Sequence, residues 1–290
     1  MTGSWLWPGV PLFFLAPYVI GRDHVMLRAL ACVITLDLCL KLLDYMRELR
    51  TNRSLDRSFT VYAGYLVPFP LFLVLFRERI PRTRPDVSGL PAVVVGVIVL
   101  SAGFILLPRL SDVDAVRSSF FVDHTLKFFL FALVCDAMAR GIDGLERCVG
   151  YQLRPLIDHA LLSRTVVEFW CRYNTRVHAW LEHNVFLPAG GRRAPLRGLC
   201  FVFFVSALFH EIAFGVTTSR FDGYQFAFFM LQVPAIITSR SLEHRVRSSP
   251  TGRRLCYALT VLWFWLTSML FFHGVDRVFP FFYVSEPWLP

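Results

Sequence analysis

Apolar residues along this chain fall into eight runs, near 5–20, 25–43, 59–76, 90–107, 120–138, 199–216, 221–239 and 255–272. Each is close to the length an α-helix needs to cross a bilayer. The pattern predicts an all-α integral membrane protein of about eight (seven to nine) transmembrane helices, built as one domain over residues 1–290. The first run is interrupted by Pro8, Pro11 and Pro17. No Lys or Arg precedes it and no small-residue cleavage site follows, so it reads as a retained first span rather than a signal peptide. Pro68 and Pro70 predict a kink or break in the third.

Between residues 140 and 198 the hydrophobicity drops, and the chain there predicts a cytoplasmic or interfacial block within the domain. Inside it, Val166, Val167, Trp170, Tyr173, Val177 and Leu181 recur at helical spacing, while Glu168, Arg172 and Arg176 share another face. This predicts one amphipathic interfacial helix over 163–188, lying against the inner face just before the span 199–216. The linking stretch PAGGRRAPLRG holds Arg192, Arg193 and Arg197, which either anchor the topology or meet phosphates.

Composition agrees with a bilayer: 55% of the 290 residues are hydrophobic, 16% are aromatic, and mean hydropathy is +0.52. The charge of +9 comes from 28 Arg and 2 Lys against 21 acids. On an eight-span topology twenty arginines fall in inward loops and eight in outward ones, which predicts both termini outside. Charge spread over both faces of a membrane excludes a nucleic-acid binder. None of the seven cysteines form CxxC, so neither a disulfide framework nor a zinc site is expected, and no metal.

Polar residues inside apolar runs carry the candidate chemistry. Asp37–Lys41 and Asp123–Lys127 are spaced to neutralise each other, with His124 beside the second pair. The run 199–216 holds Ser206 and His210 one turn apart on one face, with Glu211 some 100° round the helix. Asn174 interrupts the apolar stripe of 163–188, and His178 follows it by one turn. HEIAF lacks the second His of a zinc protease, and no GxSxG, Walker A or GxGxxG occurs.

The strings EFWCRYN, NVFLP and SALFHE, in that order, resemble the wax synthase-like branch of the membrane-bound O-acyltransferase superfamily. Cys171 and Tyr173 stand where that branch commonly has Gly and Trp. The resemblance implies transfer of an acyl group from acyl-CoA, a co-substrate and not a cofactor, to a hydroxyl acceptor such as a long-chain alcohol, sterol, diacylglycerol or other lipophilic alcohol. It places the catalytic pair at His210 and Asn174. His210 is then the general base, and Asn174 polarises the thioester carbonyl or orients a reactant. Trp170, Tyr173, His178, Arg192, Arg193, Ser206 and Glu211 are the candidate substrate-binding residues. The competing expectation is a non-enzymatic transporter, in which the intramembrane Asp, Lys, His and Glu form a solute or proton path.

Overall fold

The computed structural model describes residues 15–52, 59–66, 75–78, 83–246 and 249–283. Its principal elements are α1 (Val25–Thr51), α2 (Phe59–Leu66), α3 (Leu90–Leu110), α4 (Phe120–Cys148), α5 (Val166–Arg172), α6 (Thr175–Leu181), α7 (Pro195–Thr218), α8 (Tyr224–Val246) and α9 (Pro250–Val278). No strand occurs among the described residues, apart from one isolated antiparallel bridge between Ile157 and Tyr173.

Three segments are long and apolar enough to cross a membrane: Val87–Leu110, Pro195–Thr218 and Pro250–Val278. Helices α1, α4 and α8 are comparably long and pack with them. In α1 and α4 the buried Asp37–Lys41 and Asp123–Lys127 pairs lower the apolar character. In α8 Gln225, Gln232, Pro234 and Arg240 do so. The expected first span lies largely outside the described residues, which begin with a short turn at Ala16–Val19.

Of the expected crossing at 59–76, only residues 59–66 and 75–76 are described. Tyr65 Oη and Phe76 N both donate to Asp44 Oδ2, at 3.3 and 2.8 Å, and the Tyr65 and Phe76 rings meet edge to face at 5.0 Å. The described ends of this segment, Tyr65 and Phe76, therefore lie beside one carboxylate, and the expected kink at Pro68 and Pro70 lies outside the described residues.

The first long helix is reversed relative to the expected topology. Arg28, at the start of α1, donates to Val216 O at 2.6 Å and Ser219 Oγ at 3.0 Å, beyond the middle of α7. Near the other end of α1, Trp180 Nε1 donates to Leu40 O and Asn184 Nδ2 to Asp44. So α1 runs antiparallel to α7, and its C-terminus meets the 140–198 block. Thr83 N→Gly150 O and Asp86 N→Arg147 O bring the start of α3 to that same end. Among the described arginines only Arg22, Arg28, Arg109, Arg117, Arg220 and Arg277 lie at the far end, so the asymmetry sharpens once α1 is turned round.

Helices α3 and α4 pack most intimately, through small residues. A Cβ on Gly144 would sit 2.5 Å from Gly89 O, and one on Gly96 would sit 2.9 Å from Ala137 O. The outer face of α3 leaves Val94, Val97, Ile98 and Ile105 exposed, as a lipid-facing surface requires. The main core joins α4, α5, α7, α8 and α9 through Phe128, Val166, Phe203, Phe229, Phe264 and Phe272.

The 163–188 stretch is not one interfacial helix. It breaks at Tyr173–Asn174 into α5 and α6, and a π-helical turn Glu182–Phe186 follows. Val166 is 5% exposed, and the Phe169 ring lies 3.9 Å from that of Phe264, so α5 is buried among the long helices. The break allows this, because each seven-residue half can take its own direction into the core.

Candidate active site

Asn174 makes the break. Its backbone is left-handed, at φ 48° and ψ 62°, which asparagine tolerates better than most residues. Its side-chain Oδ1 accepts from Val177 N at 3.3 Å and so caps α6, with no bond from its amide nitrogen to the described residues. The amides around the break are satisfied from outside. Asp158 N donates to Arg172 O, and Thr175 N to Leu156 O. Thr175 Oγ1 donates to Pro155 O at 2.6 Å. The 154–160 strap thus replaces the helical bonds that the break removes.

Arg176 fastens this arrangement to the end of α4. It is 4% exposed, donates to both Glu146 oxygens at 2.9 and 2.6 Å, and reaches Asp143 at 3.0 Å and Arg154 O at 2.9 Å. Burial pushes Asp143 up to about 6, against the pull of the Arg176 charge and the Leu156 N–H. Asp143 lies beyond the apolar run of its helix. The i, i+4 spacing predicted a face shared by Glu168, Arg172 and Arg176. The structure keeps Glu168–Arg172, at 2.7 Å, and sends Arg176 inward because the break rotates α6.

Asn174, His178, Ser206, His210, Trp170 and Tyr173 line one cavity of about 290 Å³ between α5, α6, α7 and α8. Six of the nine residues singled out from sequence therefore converge. Inside it, His210 Nδ1 lies 2.8 Å from Ser206 O. A carbonyl only accepts, so Nδ1 carries the hydrogen, and in the neutral ring Nε2 then keeps its lone pair. The His210 ring also lies 4.0 Å from that of Phe229. An oriented, neutral imidazole with an accepting nitrogen is what removal of a hydroxyl proton requires.

Three expected residues stand apart. Glu211 accepts from Gly223 N at 2.7 Å and Phe226 N at 3.1 Å, so its carboxylate caps the start of α8. Arg192 and Arg193 form an exposed single turn outside the cavity wall. The arginine on that wall is Arg240, which is not among the candidate residues named from sequence. Its signal was present: Phe229, Ile236 and Arg240 fall on one stripe of α8 and all line the cavity.

A second, aromatic cavity of about 130 Å³ shares Trp170, Tyr173, His210 and Phe229 with the first. Its own walls include Phe131, Phe264, Phe271 and Ser163. Sequence reading missed it, because its rings come from helices far apart in the chain.

The Asp37–Lys41 and Asp123–Lys127 pairs line neither cavity. Each forms an ion pair within its own helix, at 3.1 and 2.6 Å. His124 bonds Tyr283 Oη at 2.7 Å and Trp265 O at 2.8 Å, and so fixes α4 to α9. No three metal-ligating side chains gather among the described residues.

Residues 112–248 match the membrane-bound O-acyltransferase family. Among similar proteins, diacylglycerol O-acyltransferase 1C of Glycine max is 28% identical over 115 residues, covering 39% of this chain and 22% of that protein. Diacylglycerol O-acyltransferase 1 of Corylus americana is 32% identical over 95 residues, covering 32% of this chain and 17% of that protein. A probable sterol O-acyltransferase 2 of Schizosaccharomyces pombe is 34% identical over 136 residues, covering 44% of this chain and 29% of that protein. The chain thus spans roughly a fifth of the length of the first relatives it matches. The family match includes Asn174, Ser206 and His210, and it supports placing residues 112–248 within the membrane-bound O-acyltransferase superfamily.

Proposed function

We propose that the chain transfers an acyl group from acyl-CoA to a lipophilic alcohol, with His210 as the general base. One observation carries this reading: His210 is held as the Nδ1–H tautomer by Ser206 O, inside a cavity that also holds Asn174. The hydroxyl proton passes to His210 Nε2 as the alcohol oxygen attacks the thioester carbon. The oxyanion forms near the Asn174 amide nitrogen. Collapse breaks the carbon–sulfur bond, and the departing CoA thiolate takes the proton back from Nε2. Base, ester and thiol balance, and no cofactor or metal enters the step.

The two cavities divide the substrates. The larger one carries Arg240 and Glu182 on its wall and suits the polar thioester, with Arg240 meeting a CoA phosphate. The aromatic one suits the acceptor. Arginine bias makes the block end cytoplasmic, where acyl-CoA is supplied. The three sequence boxes extend the reading towards the wax synthase-like branch. The transporter reading has less support, because both buried Asp–Lys pairs lie off these two cavities.

The test is purified protein with labelled acyl-CoA and a lipophilic alcohol. Free CoA and labelled ester in equal amounts are expected. Their absence with every acceptor contradicts the reading.

A further inference from the structure

Ser163 closes the turn Ala160–Leu162, where the strap enters the bundle. Its neighbours are pinned: Ser163 N donates to Ala160 O, Arg164 N to Glu168 Oε2, and Thr260 Oγ1 to Arg164 O. Ser163 itself is 1% exposed, and it lines the aromatic cavity. Its hydroxyl finds no partner in the protein. The indole N–H of Trp170, on the wall between the two cavities, is likewise buried and unpaired.

Both are exceptions to their surroundings. The other two aliphatic hydroxyls of this wall are spent on carbonyls, Thr260 on Arg164 O and Ser268 on Trp265 O. The indoles of Trp180, Trp263 and Trp265 each have an acceptor. Buried donors are ordinarily satisfied, and two left open on one apolar cavity call for an oxygen there. The space is also small, with less than half the volume of the neighbouring cavity.

Building on the acyltransferase reading, we propose that Ser163 Oγ and Trp170 Nε1 hold a second oxygen of the acceptor in this aromatic cavity. The preferred acceptor is then a compact lipophilic alcohol that also carries a carbonyl or ether oxygen. A plain long-chain alcohol leaves both donors unpaired and is the poorer substrate.

The test pairs decalinol with hydroxydecalone, which add no chain length and differ by one carbonyl oxygen, and takes hexadecanol as the plain long-chain case. With the purified protein and labelled acyl-CoA, kcat/KM is expected to favour hydroxydecalone over decalinol by roughly tenfold. In Ser163→Ala the ratio should fall to about threefold or less, since one of two donors remains. Equal kcat/KM for the pair in the wild type, preference for hexadecanol, or an unchanged ratio in Ser163→Ala overturns the proposal. Thermal stabilisation by the same compounds without acyl-CoA separates the two claims. Stabilisation by hydroxydecalone alone, lost in Ser163→Ala, with no ester formed, sinks the acyltransferase reading and sustains the site. Ester formation with no difference in stabilisation or rate between the pair sinks the site and sustains the reading.

Discussion

His210 Nδ1 lies 2.8 Å from the carbonyl oxygen of Ser206, one turn earlier on the same helix. An i−4 carbonyl is available to any helical residue, so the bond requires no partner helix and sets the ring before substrate arrives. Its consequence is a single tautomer. NMR of the protein carrying isotope-labelled histidine is expected to show one resonance set with Nε2 unprotonated, assigned through its loss in His210→Ala. A protonated Nε2 on that ring contradicts the geometry.

Asn174 combines a left-handed backbone, a cap and a free amide, and substitutions separate these. Asn174→Gly keeps the backbone freedom and is expected to cost stability by only a few tenths of a kcal/mol. Asn174→Ala adds the left-handed penalty, of about 1–2 kcal/mol. Both lose the amide, so both should lose activity by about tenfold or more. Full activity in Asn174→Gly, measured per mole of folded protein, reduces Asn174 to a structural residue.

Glu211 follows His210 in the chain but caps α8 through Gly223 N and Phe226 N. Glu211→Ala should lower stability by about 1–3 kcal/mol, since two backbone donors lose a charged acceptor. The KM for acyl-CoA should stay within twofold of wild type. A large rise in KM without loss of thermal stability gives Glu211 a substrate contact instead.

The buried Arg176 cluster is pH-sensitive through Asp143, whose carboxyl burial pushes from 3.8 to about 6. A raised folded-state value means the native protein binds this proton more tightly than the unfolded chain. The contribution is full below the unfolded value and is lost as pH rises through about 6. Asp143→Asn lacks this titration and keeps an oxygen for Leu156 N. Its melting temperature relative to wild type should therefore rise between pH 4 and 7. A flat difference shows that Asp143 does not titrate there.

Much of this was written locally in the chain. Stripes of Val and Phe with an embedded Ser206, His210 pair declare α7, because helical period and apolar length both depend on near neighbours. The convergence of Asn174 with His210 was legible through three short boxes in order. What lay beyond reach depends on distant partners. The reversal of α1 rests on Arg28 meeting Val216, 188 residues away. The approach of Tyr65 to Phe76 rests on one carboxylate, Asp44, which hydropathy does not reveal. The break at Asn174 was hidden because the stripe stays in phase across it, while the strap that satisfies the broken amides comes from 154–160.

Arg240, rather than Arg192 or Arg193, lines the wall of the larger cavity. Arg240→Ala should raise the KM for acyl-CoA about fivefold or more with little change in kcat, as expected for a lost phosphate contact. Arg192→Ala with Arg193→Ala should leave KM near wild type. The reverse order transfers the phosphate contact to the Gly191–Arg193 turn.

The general-base assignment of His210 meets its most direct test in the initial rate of His210→Ala, measured per mole of monodisperse purified protein with labelled acyl-CoA and a lipophilic alcohol. Removing a polar ring from an apolar helix should leave insertion and folding intact, while the rate falls by about 10² or more. The same substitution at His178, which lines the cavity without an oriented tautomer, should cost far less. Near wild-type turnover by well-folded His210→Ala contradicts the account.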